Sequence, residues 1–71
     1  MKILKGTKLI VNDSRKGVFS AIATEDFDTD QEWYPLVLDE DTPVLGLSNK
    51  WYKGDEIPCR KGIAVVKIKE V

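Results

Sequence analysis

Histidine, the side chain most often used to move protons near neutral pH, does not occur in this chain of 71 residues. Its absence removes every Ser-His and Cys-His nucleophile pair. The one cysteine, Cys59, precedes Arg60 and Lys61, and neighbouring cations can lower a thiol pKa and favour the thiolate. A small apolar residue beside a turn is the simpler reading of Cys59, because free cysteines rank among the most buried residue types. No residue is assigned a catalytic role, and the chain reads as non-enzymatic.

Metal binding is the second chemistry to weigh. Asp26, Asp28, Asp30 and Glu32 recur at every second position, as do the first oxygen ligands of an EF-hand calcium loop. The match then fails: Gln31 occupies the place of the required glycine, Val37 that of the closing bidentate Glu, and no helical pattern flanks the run. The segment reads as a solvated acidic loop, with no metal site and no cofactor expected.

Binding remains, and two sets of residues suggest it. Trp33 and Tyr34 directly follow the acidic loop, and adjacent residues of a strand point to opposite faces, so one of the two rings should face outward. With Asp28, Asp30 and Glu32 it would form an aromatic anchor with a negative rim, suited to a protein partner that carries a basic surface. The second set interleaves bases with aromatics: Arg15, Lys16, Lys50, Trp51, Tyr52 and Lys53. A small β-barrel with such a surface would bind single-stranded nucleic acid by stacking and phosphate contact. The first reading is preferred, as a protein-binding, adaptor or inhibitor module, because the acidic middle of the chain opposes a polyanion.

Charge along the chain is segregated. Residues 1–16 carry five bases and one acid, residues 17–41 eight acids and no base, and residues 42–71 six bases and three acids, for a net charge of −1. Such a layout presents acidic and basic patches that orient a partner on approach. A second copy of the chain is a further partner that this layout allows. The N-terminal apolar run is too short for a signal peptide and no stretch approaches a membrane span, so the expected setting is cytoplasmic and away from membrane.

The elements that must position these residues show period two, not 3.6. Residues 3–12 read as a strand, bent at Gly6, with Leu9 and Val11 inward. Asp13-Ser14-Arg15-Lys16-Gly17 supplies turn formers for a hairpin. The return strand begins at Val18 and turns Ala21 and Ala23 inward, small residues that let backbones approach closely. Residues 24–32 read as a loop, 33–38 as a strand interrupted by Pro35, 39–43 as a turn and 44–47 as a short strand. Ser48-Asn49-Lys50 is another turn, Trp51-Tyr52 opens a short segment, and residues 57–62 form a connection. Residues 63–71 close the chain as a strand with Ala64, Val66 and Ile68 inward. Four to five short strands with these turn signals predict a single all-β domain, a small antiparallel barrel or sandwich of SH3-like or OB-like type. Its expected core is Leu9, Val11, Ala21, Ala23, Leu36, Leu38, Val66 and Ile68. One domain of this size buries about 60% of its unfolded surface. With no disulfide or zinc available, packing must hold it.

Overall fold

The computed structural model describes residues 1–46 and 48–69. Among them there is no helix, and the strands in chain order are β1 (Lys2–Ile3), β2 (Lys8–Asp13), β3 (Gly17–Ala23), β4 (Phe27–Asp28), β5 (Trp33–Tyr34), β6 (Leu36–Leu38), β7 (Val44–Leu45), β8 (Lys50–Trp51), β9 (Cys59–Arg60) and β10 (Ala64–Ile68). The main sheet has the order β10-β2-β3-β6 with every pairing antiparallel, and three two-stranded ribbons, β1-β4, β5-β9 and β7-β8, surround it. The main sheet does not close on itself, so the fold is all-β without being a closed barrel. Among the described residues no helix is long and apolar enough to cross a membrane.

Period-two alternation places the core where the sequence puts it. Leu9 and Val11 of β2, Ala21 and Ala23 of β3, and Leu36 and Leu38 of β6 are all buried. Ala21 stands opposite both Leu9 and Leu38, so a small side chain lies between two large ones and the layer stays filled without overlap. Val66 is half-buried against this cluster. Ile68 is not core: it is 46% exposed. It ends an outer strand, so β2 shields it on one side only. Ala64, by contrast, is buried opposite Asp13.

Further expectations need correction, beginning with the number of strands, ten among the described residues where four to five were expected. The strand expected over residues 3–12 is two strands, because Gly6 takes a φ of 86°, a left-handed conformation that breaks an extended run. This turn frees β1 to pair with Phe27–Asp28, which makes β4 a strand inside the segment expected to be loop. The expected connection over residues 57–62 contains β9. The strands expected over 44–47 and 63–71 extend to Leu47, Glu70 and Val71, which lie outside the described residues.

Candidate functional site

The ladder containing β9 is longer than the two residues that define the strand. Lys61 N–H donates to Glu32 O at 2.9 Å, Trp33 and Tyr34 stand opposite Arg60 and Cys59, Ile57 N–H donates to Leu36 O at 3.0 Å, and Leu38 N–H donates to Asp55 O at 2.9 Å. Val37 bridges to Glu56 in the same antiparallel sense. The register is therefore continuous from Glu32/Lys61 to Leu38/Asp55, and it sets Pro35 opposite Pro58. The bonded positions are the even-numbered residues of 32–38, so the two prolines meet where neither missing N–H would have served this ladder.

Alternation then decides which side chains leave the core. Tyr34, Leu36, Ile57 and Cys59 turn inward and are buried, whereas Trp33 is 55% exposed. The outer positions pair Trp33 with Arg60, Pro35 with Pro58 and Val37 with Glu56. Along one strand the outer face thus reads acid, proline, base: Glu56, Pro58, Arg60.

Two clefts flank this strip, and Trp33 and Pro58 line both. One, of about 230 Å³, is lined by Arg15, Lys16, Asn49, Trp51, Arg60, Ile63 and the Asp13 carboxylate beside them. The other, of about 410 Å³, contains Thr24, Glu25, Pro35 and Glu56. Trp33 and Pro58 therefore form a ridge with cations on one side and carboxylates on the other.

Each wall has a local cause. Asp13 closes the β2–β3 hairpin: its Oδ1 accepts from Arg15 N–H at 2.7 Å and from Lys16 N–H at 3.0 Å, an Asx turn that directs both bases toward the cleft. Asp13 Oδ2 also pairs with Lys16 Nζ at 3.4 Å, which leaves this ammonium 5.3 Å from the Trp51 ring centroid. The Trp51 ring lies against the backbone of Gly46, where a Cβ would fall 2.6 Å from its Cζ3 atom. On the ridge, Arg60 Nη2 donates to Glu32 Oε1 at 2.5 Å and the guanidinium lies 5.6 Å from the Trp33 ring centroid. Cation–π contacts of this kind attract a cation to a ring face by about 0.5–1 kcal/mol at exposed sites. Ion pairing moderates the charge: Lys16 and Arg60 each have a carboxylate, so Arg15 is the cation of this cleft with no ion pair among the described residues.

The residues singled out in the sequence divide between this site and other duties. Trp33 is the outward ring. Tyr34 packs on Phe27 with centroids 5.2 Å apart, and its hydroxyl donates to Thr29 O at 2.7 Å. Burial, ahead of the nearby acids, raises its pKa. Asp28 accepts from Asp30 N–H at 2.9 Å and meets the N-terminal ammonium at 3.5 Å. The Asp30 N–H is the main cause that holds its carboxyl below its ordinary pKa. Asp28 thus orders the acidic segment, Asp30 lies in the same turn with its backbone carbonyl toward Lys61, and Glu32 pairs with Arg60 beside Trp33, so an acid and a base are joined at that rim.

Of the second set, Arg15, Lys16 and Trp51 meet in the cleft with Trp33. Lys50 instead lies 5.4 Å from the exposed Tyr52 ring, and Lys53 pairs with Asp41 at 3.6 Å. The cleft thus joins three of the six residues of the second set to Trp33 of the first. Pro58, Arg60, Glu25 and Glu56 belong to the site without having been singled out. Alternation of Glu56, Pro58 and Arg60 was the signal for three of them, masked by a proline that resembles a turn former.

Cys59 lies under the ridge, and burial pushes its thiol up to about 12 from 9.0, which removes thiolate chemistry at neutral pH. Among the described residues no three Asp, Glu or Cys side chains converge on a metal position. No family model, curated protein or solved structure matches this chain.

Proposed function

We propose that this chain is a non-enzymatic protein-binding module, of adaptor or inhibitor type, that takes an extended segment of a partner across the Trp33–Pro58 ridge. One observation carries the reading: the exposed indole stands between a cleft with Arg15, Lys16 and Arg60 and a cleft with Glu25 and Glu56. A segment with an apolar residue or proline between an acidic end and a basic end would satisfy both sides. Aromatic-lined grooves suit preformed extended peptides because little conformational entropy is then lost. The anchor would govern dissociation and the flanking charges association.

The scaffold is read as an SH3-like, partly open sheet rather than an OB-like one. The order β10-β2-β3-β6, continued by residues 55–61 and returned to β10 through the turn at residues 61–63, supports that reading. It is an analogy of fold and carries no function by itself.

A second reading, binding of single-stranded nucleic acid, is favoured by Trp33 and Trp51 sharing a cleft with Arg15, Lys16 and Arg60. The carboxylates on Lys16 and Arg60 and the acidic cleft beyond the ridge weigh against a polyanion. Selection from a random peptide library, with Trp33→Ala as the counter-selected chain, separates the readings. Enrichment of segments with opposite charges around an apolar residue supports the protein reading. Enrichment retained equally by Trp33→Ala, or nanomolar binding of a labelled oligo-dT that falls steeply with salt, contradicts it.

A further inference from the structure

Among the described residues, β10 borders the main sheet with β2 as its one sheet neighbour. Ser14 N–H donates to Ile63 O and Lys69 N–H to Lys8 O, and Val65 and Lys67 stand opposite Asn12 and Ile10. The odd-numbered residues therefore spend their backbone groups on β2, and those of Val66 and Ile68 point to the other side. Among the described residues no further backbone bond reaches those two from that side. This is an open strand edge, clear of the ridge described above.

The charges beside the edge are of one sign. Lys8 lies directly opposite Lys69 and diagonal to Lys67, by the register of the ladder. Like charges in facing positions destabilise a sheet, and none of the three lysines forms an ion pair among the described residues. Val65 and Ile68 are exposed in the same strand. The outer face here combines Val65 with ammonium groups that no carboxylate of the described residues pairs, while Ile68 is exposed on the opposite face, and both flank unspent backbone donors and acceptors.

We propose that β10 is a second docking edge, which accepts an extended strand of a partner protein in which acidic and apolar side chains alternate. Backbone bonds to Val66 and Ile68 would supply attachment, acidic side chains would face Lys67, and apolar ones would cover Ile68. A second copy of the chain fits poorly, because pairing β10 with its own copy would gather two sets of lysines on one face. Nucleic acid fits poorly as well, because Trp33, Trp51 and Tyr52 all lie on other strands or turns and leave this edge without a stacking ring.

The test uses the intact chain and a fluorescein-labelled peptide of alternating valine and glutamate. The expected result is saturable binding, slowed amide exchange at Val66 and Ile68, loss of binding when the glutamates become lysines, and affinity about tenfold weaker in Lys67→Glu. Lys67 is exposed, so this variant should fold, and thermal unfolding checks that it does. Ile68→Pro, which removes one outward N–H, should also weaken binding. Trp33→Ala should leave it unchanged, which keeps this edge separate from the ridge. No binding by the acidic peptide, equal binding by Lys67→Glu, displacement by oligo-dT at lower concentration, or self-association in sedimentation that protects the same amides would each overturn the proposal. In the first of those cases the lysines serve only to keep the edge from pairing.

Discussion

Gly46 leaves room for the Trp51 ring, which approaches so closely that a methyl group there would overlap it. The indole in turn forms a wall of the cationic cleft. Gly46→Ala is expected to shift that ring, alter tryptophan fluorescence and cost about 1–3 kcal/mol of stability, the range for overpacking. Denaturant unfolding with fluorescence detection checks it, and an unshifted spectrum with unchanged stability would show that the ring does not press on this position. Nothing in the sequence around Gly46 announces this contact, because the two residues meet only when the β7–β8 ribbon folds back. The opposed directions of Trp33 and Tyr34 were legible from period two, since both lie in an extended run. Which ring faces outward was not, because both are large and aromatic. Pairing with Arg60 and Cys59 settles it.

The hairpin between β2 and β3 depends on one carboxylate. Asp13 is buried, and its oxygens hold Arg15 N–H, Lys16 N–H and the Lys16 ammonium together. Asp13→Ala should cost about 3 kcal/mol, since it strips a charged acceptor from two backbone donors and leaves a half-buried ammonium without its partner. Asp13→Asn should cost less, because its amide oxygen still closes the turn. Unfolding curves for the two variants decide, and equal losses would mean that the ion pair, not the Asx turn, dominates. The turn itself was legible as a cluster of Asp, Ser, Arg, Lys and Gly. At the level of strands, β2, β3, β6 and β10 follow from alternation, whereas β9 was hidden because Pro58 resembles a turn former. Only the pairing partner shows that this proline faces Pro35 at an unbonded position. The two-residue strands β1 and β4 are too short to show a period and exist through each other.

Across the whole molecule, burial of weak acids sets the alkaline limit of stability. The Cys59 pKa is raised to about 12 from 9.0 and that of Tyr34 is raised as well, burial being the first cause in each case. A group whose pKa is higher when folded stabilises the fold fully below its unfolded value and loses that contribution as pH rises through its folded value. Stability should therefore hold below about pH 9 and fall toward about pH 12, with a shallower fall in Cys59→Ala. Urea unfolding at about pH 8 and about pH 11 measures this, and identical pH dependence in the variant would remove Cys59 from the account.

The same scale holds the segregated charge. The sequence separates acids from bases along the chain, and folding brings them back to opposite flanks of one indole. Residues more than thirty positions apart, Lys16 and Trp51 among them, share a cleft through strand order, which local patterns do not encode. The central claim is that Trp33 anchors a partner segment, and the most direct measurement is the dissociation rate of a library-selected segment from the parent chain and from Trp33→Ala, at equal fold stability. The account predicts dissociation at least about thirtyfold faster from the variant, equivalent to about 2 kcal/mol. It also predicts that Arg15→Glu mainly slows association and reduces its salt dependence. Equal dissociation from both chains, with the fold of each intact, would contradict it.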